Sequence, residues 1–250
     1  MQAFLTLTRR ELSSFLGSLT GYVIIGAAAL QMGLSFSILL WKLADISTAT
    51  PITELFYISP FFWLIVLLST PIITMRLFAL EKYSGTFETL MTTPVGDLQV
   101  VLAKFTGALI FYMVMWLPLA GCLALFHHYT NDPSSIDLGA IGTTYLGIFL
   151  VGCLYTSIGC LGSSLTKSQI TASMITLAIG MALFLLSFLG ERAPNEVTWL
   201  TQTLNHINMI DHMQDFSRGI VDTRWVSYYV SLTGLFLFLT YRVVESRRWK

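Results

Sequence analysis

Glu81-Lys-Tyr-Ser-Gly85-Thr86-Phe-Glu88-Thr-Leu-Met-Thr92-Thr93-Pro94 is a polar, glycine-containing strip between two apolar blocks, each long enough to cross a bilayer. Glu81, Lys82 and Glu88 cannot face lipid there, because an ionised side chain at membrane depth costs roughly 3 kcal/mol or more. The strip is therefore a loop or a surface helix, a place where a soluble partner can grip a membrane protein. Gly85 permits a sharp bend, and Pro94 stops a short helix expected from Thr86 to Thr92.

Outward from the strip, the composition says the same. Of 250 residues, 54% are hydrophobic and only 11% charged, against about a quarter charged in soluble domains, and the mean hydropathy is +0.70. Apolar blocks recur at about Leu19–Leu40, Ser59–Met75, Val100–Phe126, Leu138–Leu161, Ile170–Leu189 and Val226–Val243. A hydrocarbon core of about 30 Å needs roughly 20 helical residues, so these are six expected spans. The first is too long for a signal-peptide core and no small-residue cleavage site follows it, so it is expected to be retained. Six spans put both ends on one side. Of the 14 lysines and arginines, only Lys42, Arg192, Arg218 and Arg224 fall in the outer segments. The positive-inside rule then places both termini, and the 81–94 strip, in the cytoplasm. Net charge is zero, so no bulk field draws nucleic acid or acidic substrates.

Around the spans, Phe4, Leu5, Leu12, Phe15, Leu16 and Leu19 follow helical spacing while Arg9, Arg10 and Glu11 are expected to face away, the pattern of an interfacial helix. Gly17-x-x-x-Gly21 allows close helix packing at the start of the first span. The connection Thr166–Gln169 is tight enough to make a hairpin of spans four and five. Between Gly190 and Arg224, apolar residues recurring every three or four positions from Val197 to Phe216 predict one or two outer amphipathic helices. Cys122, Cys153 and Cys160 fall inside spans and read as packing residues, with no disulfide framework and no metal set.

Several chemistries are excluded. Gly162-Ser-Ser-Leu-Thr-Lys167-Ser168 lacks the glycine before lysine that a phosphate loop needs and follows a helix, not a strand. Ion-coupled carriers keep ionisable residues at membrane depth, and the spans hold almost none away from their ends; Gln31 is the clearest mid-span polar group. His127, His128, His206 and His212 lie on the outer side, whereas Ser163 and Ser164 lie near the inner side, so no serine–histidine pair forms. No catalytic residue is expected. What remains is a transporter moved by something else.

Glu81-x-x-x-Gly85-Thr86-x-Glu88-x-Leu90-x-Thr92-x-Pro94-Val95, leading from the second span into the third, resembles the coupling segment of ABC-2 type transporter permeases. The Arg10-Glu11-Leu12 leader, the six spans, the outer helices and Gly159-x-x-Gly162-Ser-Ser-x-Thr166-x-x-Gln169 are also similar to that family. Phe216-Ser-Arg218-Gly219-Ile-Val-Asp222, Tyr228-Tyr229 and Glu245-Ser-Arg247-Arg248-Trp249 resemble its gliding-motility-associated branch. The resemblance implies an all-α integral membrane protein, a single permease domain over residues 1–250 in the bacterial inner membrane. It implies an exporter without a cofactor of its own, worked by a separate ATPase dimer that holds ATP and Mg. A second permease chain, identical or not, and an additional membrane-anchored subunit are the other implied partners. On this reading Glu81 and Glu88 are the charged contacts with the ATPase, Thr86 and Thr92 lie in the same segment, Gly85 is its bend and Pro94 its stop, while Arg9, Arg10 and Glu11 belong to the interfacial helix. The pathway is expected at the permease–permease face of spans one, two and five, with Phe36, Trp41, Phe61, Phe62 and Trp63 along it. The alternative is an anchor that transmits ATP-driven motion to an envelope machine without moving a small substrate.

Overall fold

A computed structural model describes residues 2–43, 56, 59–87, 96–130, 138–191 and 206–246. Among them the regular structure is helical, with no strand. Helix α1 (Gln2–Leu16) precedes α2 (Leu19–Leu43), and the corner between them is made by Gly17 and Ser18. Ser18 caps α2, its hydroxyl accepting the Gly21 N–H at 3.2 Å. A Cβ on Gly21 would stand 2.1 Å from the Phe15 carbonyl oxygen. That glycine therefore serves the corner, whereas the Gly-x-x-x-Gly spacing was expected to serve helix–helix packing.

The second span is α3 (Pro60–Thr74), a turn at Met75–Phe78, and α4 (Ala79–Ser84). Pro60 opens α3, where its missing N–H loses nothing. Gly85 closes α4 at φ +76°, a left-handed conformation that glycine adopts without strain.

The third span was expected to be uninterrupted, but it is α5 (Asp97–Met115) and α6 (Leu117–Thr130), broken at Trp116. Pro118 has no N–H to donate, and the chain tightens there, with Trp116 N–H bonding the Met113 carbonyl at 3.1 Å. The Tyr145 hydroxyl then donates to the Trp116 carbonyl at 3.2 Å. Helix α7 (Leu138–Leu165) and α8 (Gln169–Glu191) form the expected hairpin. Helix α9 (Met209–Ser217) is amphipathic and lies before α10 (Thr223–Ser246). Residues 192–205, where a further outer helix was expected, lie outside the described residues.

Six stretches among the described residues are long and apolar enough to cross a membrane, namely Leu19–Trp41, Pro60–Ser84, Asp97–Tyr129, Leu138–Leu165, Gln169–Phe188 and Thr223–Ser246. The protein is an all-α, multi-pass membrane protein. Helix α7 is the hub, touching α3, α4, α5, α8, α9 and α10. Its small residues make that possible, since a Cβ on Gly159 would lie 2.1 Å from Thr74 Oγ1. The aromatics of the first two spans largely turn inward. Phe62 meets Trp116 at 5.3 Å, Trp63 meets Phe184 at 5.2 Å and Phe36 meets Phe126 at 6.3 Å. Phe36, Phe62 and Trp63 are thus core residues, not the pathway lining expected of them, because ring–ring partners on α6, α8 and the α5–α6 break take them up. Trp41 is exposed.

Candidate functional site

Helix α1 lies along α5. Its inner stripe runs through Phe4, Thr8, Glu11 and Phe15, three or four residues apart. Glu11 was expected to face away with Arg9 and Arg10, but it faces in. Two features of α5 explain this. Gly107 leaves room for its stem, as a Cβ there would stand 2.9 Å from the Glu11 Cβ. Lys104, nearly one turn earlier, reaches the Glu11 Oε1 at 2.9 Å.

Lys104 also reaches the Glu81 Oε1 at 2.9 Å, and Arg10 Nη2 reaches both carboxylates at 2.9 Å. Two cations and two carboxylates thus close a cluster across α1, α4 and α5. Three members are shielded, with side-chain exposure of 3% for Lys104, 12% for Glu11 and 17% for Glu81, while Arg10 at 52% closes the cluster from the surface. Burial alone would raise the Glu11 carboxyl, but Lys104 and Arg10 together hold it below the ordinary value. Burial alone would likewise lower Arg10, and the two carboxylates more than offset that. Shielded pairs of this kind resist the loss of any member, since the remaining charge is left in a poor solvent.

The turn after α3 is held from α7. The Ser163 hydroxyl accepts the N–H groups of Phe78 and Ala79 at 3.0 and 3.1 Å and donates to the Met75 carbonyl at 3.1 Å. It caps α4 from another helix, where the chain supplies no local cap. Lys82 is buried and donates to the Ser164 carbonyl. The Gly-x-x-Gly-Ser-Ser motif of α7 therefore fastens the strip that begins at Glu81.

Of the strip residues singled out in the sequence, Glu81 lies on α4, Gly85 ends it, and Thr86 follows with its hydroxyl 2.8 Å from that of Ser84. Glu88, Thr92 and Pro94 lie outside the described residues. Arg9 is exposed, while Arg10 and Glu11 enter the cluster. Reasoning from sequence missed Lys104 and Ser163. A signal for Lys104 existed, since it is the lone cation within the apolar run of α5 and such a residue calls for a partner.

A second polar cluster lies at the other end of α7. Asn208 caps α9, accepting the Ile210 N–H at 3.1 Å. His212 is fully buried, stacked on Trp225 at 3.8 Å and edge-on to Tyr228 and Tyr229 at 5.5 and 5.8 Å. Trp225 Nε1 donates to Asp215 at 3.1 Å. Both nitrogens of His212 and the hydroxyls of Tyr228 and Tyr229 are buried without a hydrogen-bond partner among the described residues. Burial, with His206 nearby, pushes the His212 imidazole down to about 3.

Among the described residues no group of three or more His, Cys, Asp or Glu is placed to bind a metal ion. No curated protein matches the chain. The family described as ABC-2 family transporter protein matches residues 7–241, a stretch that takes in α1 from Leu7, the charged cluster, five of the six apolar stretches whole and the sixth as far as Tyr241. The chain belongs to the ABC-2 transporter family, as a membrane subunit that partners an ABC ATPase.

Proposed function

We propose that this chain is the permease subunit of an ATP-driven exporter and that the 81–94 segment is where the ATPase pair pushes. The four-charge cluster carries this reading. It ties α1 and α4 to Lys104 on α5, so a displacement of either cytoplasmic element is delivered to the third span rather than absorbed in a loose loop. Ser163 and Ser164 pass the same displacement to α7, the hub of the bundle. In this scheme both termini are cytoplasmic, residues 1–250 form one permease domain in the bacterial inner membrane, and ATP and Mg reside in the partner. Glu88 presents charge to the ATPase, Gly85 is the bend, Pro94 the stop, and Thr86 and Thr92 flank the contact.

A second permease chain covers the face of α2, α3 and α8. Support comes from α3, whose buried helix leaves one stripe open, Leu64, Leu68 and Ile72 at four-residue spacing, flanked by α2 and α8. The late motifs around Phe216–Asp222 favour the gliding-motility-associated branch and with it a further membrane-anchored subunit.

The test is a reconstituted complex with its ATPase. Glu88→Lys is expected to insert normally and keep basal ATP hydrolysis while losing transport and stimulation by substrate. Unchanged transport in that variant, or labelling of Gly85→Cys from outside the cell, would sink the proposal.

A further inference from the structure

Among the described residues Arg76 forms no ion pair, and Glu11 acts on it only at longer range. It stands in the Met75–Phe78 turn, its guanidinium carbon 4.3 Å from the centre of the Phe15 ring. Phe15 in turn stacks on Phe111 at 4.9 Å, so the cation rests on a fixed platform. Nη1 donates to Thr20 Oγ1 at 3.0 Å and Nη2 to Ser18 Oγ at 3.3 Å. Both acceptors are neutral hydroxyls. Glu11, the carboxylate that acts on it, is already engaged by Arg10 and Lys104. A guanidinium carries five N–H donors, and Arg76 bonds only those two hydroxyls among the described residues.

The neighbouring chain is apolar and open. Leu19 and Val23 on α2 and Leu80 on α4 are 82, 61 and 42% exposed. Such apolar side chains, close in sequence to Ser18, Thr20 and Arg76, would be poorly solvated in water. At a bilayer boundary they fit, the apolar groups beside acyl chains and the cation at the level of the phosphates.

We propose that Arg76, oriented by Ser18 and Thr20, holds the phosphate of an anionic phospholipid at the α1–α2 corner. Guanidinium and phosphate match in charge and in fork geometry, and the Phe15 platform pre-orients the side chain. Arg10 is unsuited, because both carboxylates of the cluster hold it. Arg9 is exposed on α1 and has no positioning contact among the described residues, which makes it the control. The inference rests on the reading of α1 as an interfacial helix.

Native mass spectrometry of the full chain, titrated with phosphatidylglycerol or phosphatidylcholine, tests it. The wild type and Arg9→Gln should retain phosphatidylglycerol in preference to phosphatidylcholine, and Arg76→Gln should bind it roughly tenfold more weakly. Equal retention by Arg76→Gln, or no preference in the wild type, overturns the proposal. Should Arg76→Gln fail to fold, the wild type decides: its unfolding midpoint should be higher in nanodiscs containing phosphatidylglycerol than in phosphatidylcholine alone, and equal midpoints overturn the proposal. Displacement by millimolar inorganic phosphate would assign the site to free phosphate and overturn the lipid assignment. A fluorophore at Leu5→Cys that brominated lipids fail to quench would instead remove the interfacial helix beneath it, a separate outcome.

Discussion

The two ends of α7 are built from opposite chemistry. At the Ser163 end, charges meet charges: Arg10, Glu11, Glu81 and Lys104 all sit in 2.9 Å pairs, and Ser163 satisfies two backbone donors and one acceptor. At the Gly147 end no ion pair joins α9 to α7 among the described residues; rings and thioethers dominate, beside neutral hydrogen bonds from Thr143 to the Phe216 carbonyl at 2.6 Å and between Ser187 and the Met209 N–H at 3.2 Å. Met213 and Phe216 lie over Gly147, and His212 is wedged among Trp225, Tyr228 and Tyr229 with its nitrogens unbonded. Directional, charged bonds hold one geometry and fail abruptly when it is lost. Ring packing tolerates sliding, since its energy changes gradually with position. Under the proposed mechanism, the joint that passes on the ATPase's push lies at the first end, and the element free to shift lies at the second.

The largest expected effect tests the charged end. Lys104→Met leaves two shielded carboxylates with only Arg10 between them and is expected to cost about 3 kcal/mol or more, read from unfolding in mixed micelles. Adding Glu11→Gln and Glu81→Gln to that variant should recover much of the loss. A cost below about 1 kcal/mol would make these pairs no better than exposed ones and erase the contrast. Next comes Ser163→Ala, which orphans the N–H groups of Phe78 and Ala79 and is expected to cost about 2 kcal/mol. Faster hydrogen exchange at those two amides would locate the damage.

How visible these ends were in the sequence follows the same divide. Apolar runs mark all six crossings, because burial in lipid acts residue by residue along the chain. Gly85 was readable as a bend because a left-handed residue is a local need. The cluster was not readable as a cluster, for its members meet across 93 positions between Glu11 and Lys104 and 71 between Arg10 and Glu81. Amphipathic spacing alone turned Glu11 toward water, since it could not know that Gly107 and Lys104 wait on the facing helix. The break at Trp116 was hidden because apolar residues continue through Pro118 without interruption.

Acid should separate the two ends. His212 has an ordinary value of 6.5 and is pushed down to about 3 when folded, so below pH 6.5 the unfolded state takes up a proton that the folded state refuses. Stability tied to α9 is therefore full above pH 6.5 and falls as pH drops toward 3, at up to about 1.4 kcal/mol per unit. Glu11 is also depressed, from 4.5, so its contribution is full above that value and is lost only as pH falls through the lower folded one. Between pH 7 and 5.5, hydrogen exchange should rise in α9 while α1 stays protected, and His212→Phe should flatten the α9 response. Simultaneous loosening of both helices would break the contrast.

The smallest effect sharpens it most. The Tyr229 hydroxyl is buried and unbonded among the described residues, so Tyr229→Phe removes a polar group that already bears its desolvation cost. The expected change in stability is between zero and a gain of about 1 kcal/mol, measured in the same micelle assay as Lys104→Met. Both substitutions delete polar atoms from a shielded place, yet one should wreck the fold and the other leave it unharmed, because only one of them has partners to abandon. A loss of more than about 1 kcal/mol in Tyr229→Phe would mean that the hydroxyl is bonded after all, through a buried water shared with His212 or Tyr228. The α9 end would then be a hydrated polar joint, as directional as the charged one, and α9 could no longer be assigned the freer motion.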